Sequence, residues 1–139
     1  MRQVTPKLWI GNTMDARNRA SVLAFSIEAV VDLAIEELPS PISRELLYFR
    51  IPLIDGCGNS QAHLKLAIDT IRHLIASETP TLIACSAGLS RSPLLTAAAI
   101  AGIRHCSLNE ALKAAVADAP SDVSTALLME IRRLIDEPA

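Results

Sequence analysis

Thr81-Leu-Ile-Ala-Cys85 runs into Ser86-Ala-Gly-Leu-Ser90 and then into Arg91-Ser-Pro93-Leu94. Five apolar residues closed by a Ser/Gly loop have the length and character of a strand buried on both faces, as strands of a parallel sheet are. Ser92-Pro93 reads as an N-cap followed by proline at the first helical position, opening a helix from Leu94 to Ile103. Strand, small-residue loop and helix start in that order point to a layered α/β fold.

The alternation continues on both sides. Upstream, Lys7-Leu-Trp-Ile-Gly11 is a short strand ended by glycine, and Asp15 to Ala24 suits one short helix. Glu28 to Ile35 is β-branched and mostly apolar, as a buried strand should be, and Leu46 to Ile51 is another strand that Pro52 helps to close. From Gln61 to Ser77, Leu64, Ala67, Ile68, Ile71, Leu74 and Ile75 recur at helical spacing opposite Lys65, Asp69 and Arg72. Downstream, Ser107-Leu-Asn-Glu110 is a capping box opening a helix to about Asp118, and Pro120 separates it from a last helix over 122–135. The expected architecture is α/β, with a central, mainly parallel sheet of about 4–5 strands flanked by helices and a helical C-terminal part. No repeat or linker interrupts the elements, which run from Lys7 or earlier to about Asp136, so residues 1–139 are read as one domain. Trp9 and Phe25 are expected in the core.

Composition narrows the function. The chain has 139 residues, 50% hydrophobic, with 13 Lys and Arg against 15 Asp and Glu and a net charge of −2. A domain of this size buries roughly two-thirds of its unfolded surface and needs no disulfide or metal to build a core. Only Trp9, Phe25, Tyr48 and Phe49 are aromatic, and the basic residues are scattered, which argues against a nucleic-acid partner. Mean hydropathy is +0.33, yet the apolar stretch from Thr79 to Ile103 is broken by Arg91 and contains Gly88, Ser90, Ser92 and Pro93, so no membrane span is expected. No apolar export segment follows Lys7, and the expected location is cytoplasmic. Cys57, Cys85 and Cys106 match neither a disulfide framework nor a zinc pair, so free thiols are expected, with no metal and no cofactor. His63, His73 and His105 share no spacing with carboxylates or cysteines, and each reads as a polar helix or loop histidine. No motif specifies an oligomeric state.

The loop after Cys85 carries the chemistry. A strand's carboxyl end facing a helix N-terminus is an anion site, because unpaired N–H groups and the helix dipole converge there. Gly88 permits a tight curl, and inward amides would form a nest for a tetrahedral oxyanion above the sulfur. Ser86, Ala87, Gly88, Leu89 and Ser90 line that nest, and Arg91 can hold two oxygens in bidentate fashion. The electropositive setting favours the Cys85 thiolate, a nucleophile placed beneath a bound phosphoryl group. The leaving oxygen needs a proton, and Asp55, in the glycine-bearing loop 52–60, is the candidate acid. Asp55 next to Gly56 is also an ordinary turn former, and the small residues around it suggest exposure and mobility. With 3 Cys and 10 Arg in 139 residues, a Cys-x5-Arg spacing arises by chance about 0.2 times per chain, so the flanking strand, small residues and helix start carry the reading.

Cys85-Ser-Ala-Gly-Leu-Ser-Arg-Ser92 resembles the signature loop of the cysteine-based dual-specificity protein phosphatases, whose pattern is His-Cys, five residues, Arg, Ser/Thr. Leu8-Trp-Ile-Gly-Asn12 looks like that family's first strand motif and Val30-Val-Asp-Leu-Ala34 with Glu36-Glu37 like its second, while Asp55 sits where the family has its general acid. The resemblance implies attack by Cys85 on a phosphomonoester to form a phosphocysteine, and protonation of the leaving group by Asp55, which later activates water. It further implies phosphoryl binding by Arg91 and stabilisation of the departing thiolate by the Ser92 hydroxyl, without a metal. Expected partners are a phosphorylated protein, on tyrosine or on serine and threonine, or a small phosphomonoester.

Two departures stand out. Ala84 replaces the histidine usual before the cysteine, leaving the helix N-terminus, Arg91 and Ser92 to favour the thiolate. Where relatives often place basic residues near the last helix, this chain has Asp118-Ala-Pro-Ser-Asp122, which disfavours a multiply phosphorylated substrate. A rhodanese-like sulfurtransferase also sets a cysteine in an anion-binding loop, and a pseudophosphatase that only binds phosphate is kept open by Ala84. Cys57, two residues from Asp55, could in principle pair with an oxidised Cys85, although a cysteine in such a loop is usually incidental.

Overall fold

Thr81–Cys85 (β5) forms the middle of a five-stranded sheet whose order is β1-β2-β5-β3-β4. The other strands are Arg2–Thr5 (β1), Leu8–Asn12 (β2), Ala29–Ala34 (β3) and Leu47–Leu53 (β4). All neighbours run parallel except β1, which is antiparallel to β2. The helices are Thr13–Arg17 (α1), Arg19–Ala24 (α2), Gln61–Ala76 (α3), Arg91–Arg104 (α4), Leu108–Val116 (α5) and Thr125–Asp136 (α6). This computed structural model describes residues 1–117 and 121–136, so the expected role of Asp118 and Pro120 in ending one helix and separating the next lies outside the described residues.

Period-two alternation sorts the strand side chains onto two faces. Leu8, Ile10, Ala29, Val31, Leu33, Ile83 and Cys85 point into the larger core, where α3, α4, α5 and α6 supply Leu64, Ile71, Leu94, Leu95, Ala115, Leu127 and Ile131. Trp9, Val30, Leu82 and Ala84 point to the other face, which Ala16 of α1 and Val22 of α2 cover. Every residue of β3 and β5 is buried, as expected of strands covered on both faces, and Asp32 is the one charged residue among them. No helix among the described residues is long and apolar enough to cross a membrane.

Several local expectations change. Arg2–Thr5 adds a strand that its polar, proline-ended sequence conceals. The helix expected over 15–24 is two, because Asn18 leaves helical geometry (ψ 89°), ends α1 and accepts the Ser21 N–H at its side chain. Pro52 does not close β4 but lies within it: β4 is an edge strand, and register slips between Asp32↔Arg50 and Ala34↔Leu53, a bulge that tolerates a residue without an N–H. Helix α4 starts at Arg91 with Ser90, not Ser92, as N-cap, and the first helical bond runs from Leu94 N–H to Ser90 C=O. Pro93 therefore occupies the third helical position, still within the first turn, where N–H groups have no intrahelical acceptor and a missing one costs nothing. Phe25, expected in the core, is half-exposed at the end of α2 and lies against buried Trp9 with ring centroids 6.1 Å apart.

Ser107 caps α5 by accepting the Glu110 N–H at 3.1 Å. The last helix starts at Thr125, later than 122, with Leu127 N–H donating to Ser124 Oγ.

Candidate active site

Cys85 ends the central strand at the carboxyl edge of the sheet, 2% exposed, with its side chain on the α4 side. The following loop curls because Gly88 adopts φ +75°. A Cβ on that glycine would lie 2.9 Å from the Gly11 carbonyl oxygen, so the backbone of β2 packs directly against the loop. Three carbonyls of this stretch are held from outside the loop: Thr13 Oγ1 donates to Cys85 O (3.3 Å), Thr13 N–H to Ser86 O (3.4 Å) and Asp122 N–H to Leu89 O (3.0 Å). The N–H groups of Ala87 to Arg91 have no acceptor among the described residues. Loop amides without protein partners, at the N-terminus of a 14-residue helix, form the anion nest expected at this position.

Arg91 is the first residue of α4 and is 3% exposed. Its guanidinium is gripped on one edge: Nη1 donates to Glu36 Oε1 (2.6 Å) and Nη2 to Glu36 Oε2 (2.9 Å), while Nη1 also donates to the Leu53 carbonyl (2.9 Å). Three of its five N–H donors are thereby used. The remaining two, on Nε and Nη2, share the other edge of the fork, and Nε is buried without a partner among the described residues. That edge can take two oxygens of a tetrahedral anion. Burial alone would lower the Arg91 guanidinium, but the Glu36 hydrogen bond and the negative charges of Glu36, Cys85 and Asp55 hold it above its ordinary value. Glu36 is in turn drawn below the usual carboxylate range, chiefly by its hydrogen bond to Arg91, against a smaller opposing effect of burial.

Ser92 is fully buried one position further on, and its Oγ, like that of Thr96 one turn later, has no partner among the described residues. Asp55 lies in the exposed loop after β4, whose last residue, Leu53, gives its carbonyl to Arg91. The structure thus brings Cys85, Arg91, Ser92 and Asp55 to one edge of the sheet. The loop is exposed as expected, but it is knitted together. Asn59 Oδ1 accepts the Ile54 N–H (2.7 Å), and Asn59 Nδ2 donates to Ile54 O (3.0 Å) and Gly56 O (3.2 Å). Cys57 is exposed and free, while Cys85 is buried and free.

Sequence reasoning gave no role to Glu36 and Glu37, although both follow directly on a buried strand at the sheet edge where ligands bind. Glu37 accepts the Ser86 hydroxyl (3.0 Å), and its backbone carbonyl accepts Arg50 Nη2 (2.7 Å). Below it, buried Asp32 pairs with Arg50 at 3.0 Å and accepts the Tyr48 hydroxyl. A cleft of about 740 Å³ elsewhere, lined by Lys65, Arg72, Asn109 and Arg132 among others, includes none of these residues, so polar geometry rather than cavity size marks the site.

A thiol at the end of the central parallel strand, an amide loop and a buried arginine fork define an α/β protein with a cradle for a tetrahedral oxyanion. The chain belongs to the dual specificity phosphatase catalytic domain family, whose model matches residues 8–130. It is 31% identical over 115 residues to dual specificity protein phosphatase 22-B of Danio rerio, covering 82% of this chain and 62% of that protein. It is 28% identical to human dual specificity protein phosphatase 15 (84% of this chain, 39% of that one) and 31% identical to Drosophila melanogaster Mpk3 (84% and 29%). The chain therefore spans 62%, 39% and 29% of these relatives' lengths. In fold it matches the crystal structure of human DUSP28 with a TM-score of 0.85 at 18% identity, covering 98% of this chain and 96% of that one.

Proposed function

We propose that the protein is a metal-independent phosphatase that hydrolyses phosphomonoesters through a phosphocysteine, acting on phosphotyrosine and phosphoserine or phosphothreonine of proteins. The observation that carries this reading is the free Nε/Nη2 edge of Arg91 beside the amides that follow Cys85. The Cys85 thiolate attacks phosphorus, forming an S–P bond as the P–O bond to the leaving group breaks, and Asp55 gives its proton to the departing oxygen. Asp55, now ionised, takes a proton from a water that attacks phosphorus. The S–P bond breaks, inorganic phosphate leaves, and the buried Ser92 hydroxyl donates to the returning thiolate. The amides of Ser86 to Arg91 and the Arg91 fork hold the equatorial oxygens, where charge is spread in the transition state. Glu36, bonded to both Nη1 and Nη2, fixes the orientation of that planar fork.

Family membership favours this reading over the sulfurtransferase, and an acid loop whose base is bonded to the phosphate-binding Arg91 favours it over a binding-only pseudophosphatase. Exposed Asp122, tied by its N–H to the loop carbonyl of Leu89, places negative charge near the mouth and favours singly phosphorylated substrates. A cytoplasmic setting, where thiols stay reduced, suits a thiolate nucleophile. The test is hydrolysis of p-nitrophenyl phosphate in EDTA, then of phosphotyrosyl and phosphothreonyl peptides, by the native protein and by Cys85→Ser and Asp55→Ala. Native turnover abolished by the first variant and reduced by the second is expected. Turnover that survives Cys85→Ser, or cyanide-dependent thiocyanate formation with no phosphatase activity, contradicts the proposal.

A further inference from the structure

We propose that Glu130 of α6 is a positioning residue for the acid: it holds the Asp55 loop in register with the phosphate loop. This rests on the reading of Asp55 as the general acid. Both carboxylate oxygens of Glu130 are used on that loop, Oε2 accepting the Gly58 N–H at 2.9 Å and Oε1 the Asn59 N–H at 3.1 Å. Gly58 adopts φ +96°, a conformation that side chains rarely take, and there its amide meets one oxygen of the pair while that of Asn59 meets the other. Asn59 binds the loop internally through Ile54 and Gly56, on either side of Asp55. Asn59 therefore closes the knot and Glu130 fastens it to the helix.

The helix is itself fixed. Leu127 and Ile131, three residues before and one after Glu130, are fully buried in the larger core. The segment entering α6 is bonded to the phosphate loop, with Asp122 N–H donating to Leu89 O at 3.0 Å and Ser124 N–H to Ser90 Oγ at 2.9 Å. Residues 122–130 thus hold the nucleophile's loop at one end and the acid's loop at the other. Two charge-assisted bonds to adjacent amides restrain both the height and the tilt of the acid loop. A proton donor displaced by about 1 Å can lose on the order of a hundredfold in rate.

The test uses leaving-group acidity, which a merely stabilising contact does not sense. The values of kcat/KM for phenyl phosphate, a poor leaving group, and p-nitrophenyl phosphate, a good one, are compared in native protein, Asp55→Asn, Glu130→Ala and Glu130→Gln. Asp55→Asn should lose roughly a hundredfold more on phenyl phosphate than on p-nitrophenyl phosphate. Glu130→Ala should show the same asymmetry at about tenfold, and Glu130→Gln, which keeps one acceptor oxygen, a smaller one. If Asp55→Asn is asymmetric while both Glu130 variants lose equally on the two substrates, or lose nothing, the positioning role is refuted and the acid stands. If Asp55→Asn itself shows no asymmetry, the acid reading falls and the role of Glu130 falls with it. Glu130→Gln is nearly isosteric, so it supplies the comparison even if Glu130→Ala does not fold.

Discussion

Gly88→Ala tests the architecture of the phosphate loop at its tightest point. Two costs add. The φ of +75° is unfavourable for any residue with a Cβ, by roughly 1–2 kcal/mol. The added methyl would sit 2.9 Å from the Gly11 carbonyl oxygen and 3.0 Å from its carbon, and backbone in the middle of a sheet cannot swing aside as a side chain could. Forced contacts of this kind cost about 1–3 kcal/mol. The sum, about 2–5 kcal/mol, is a large part of the 5–15 kcal/mol that holds a typical domain folded. For a chain of this length it corresponds to a fall in Tm of about 6–15 °C. If the loop relieves the clash by lifting away from β2, stability is partly spared but the amides leave their positions around the oxyanion, and turnover should fall on the order of a hundredfold. Thermal unfolding and p-nitrophenyl phosphate turnover, measured together, catch either route. Gly56→Ala is the control: its Cβ would meet nothing nearer than Ile54 Cγ2 at 4.0 Å, so a change within about 0.5 kcal/mol is expected. A Gly88→Ala protein that matches the native one in both Tm and turnover would refute the reasoning.

Glu36→Gln should destabilise the fold by about 1–2 kcal/mol, well below the penalty for a fully buried pair because the Glu36 side chain is 49% exposed. Since the Glu36 carboxyl is held below its ordinary range, its contribution is complete above the unfolded value and is lost as pH falls through the folded one. The difference between native and variant in urea unfolding should therefore be constant near neutrality and shrink below about pH 4. A difference that grows on acidification would contradict the pairing. Tyr48→Phe removes the donor to Asp32 and the acceptor for the Ser40 N–H and should cost about 1–3 kcal/mol. Burial, then the Asp32 bond, raises the Tyr48 phenol, so its contribution is full below about pH 10 and lost as pH rises through the folded value. Equal stability of native protein and Tyr48→Phe at pH 8 would remove this network from the account.

The fold class was legible because β3, β5 and α3 carry plain local signals: two all-buried strands, apolar but for Asp32 in β3, and one amphipathic helix. Boundaries failed where tertiary contacts overrule local signals. Ser-Pro looked like a helix start, but the loop's own curl had already brought Ser90 into the cap, and Pro52 looked like a strand end although an edge bulge accommodates it. At the candidate site, Cys85 and Arg91 were legible because strand, loop and helix place them by local sequence alone. Glu36, Asn59 and Glu130 act across 55, 5 and 71–72 residues of sequence separation. Glu130 in particular reads as one more charge on the polar side of an amphipathic helix, and only the packing of α6 beside the acid loop gives it partners.

The central claim is that phosphorus passes through Cys85. Rapid-quench labelling answers it most directly: native protein and Asp55→Ala are mixed with a phosphorus-labelled aryl phosphate, quenched in alkaline detergent, in which an S–P bond survives, and digested, and the label is located by peptide mapping. The account predicts label bound through sulfur on the peptide containing Cys85, absent in Cys85→Ser and appearing no later than the free aryl alcohol. Turnover that proceeds with no label on Cys85 at any time would contradict it.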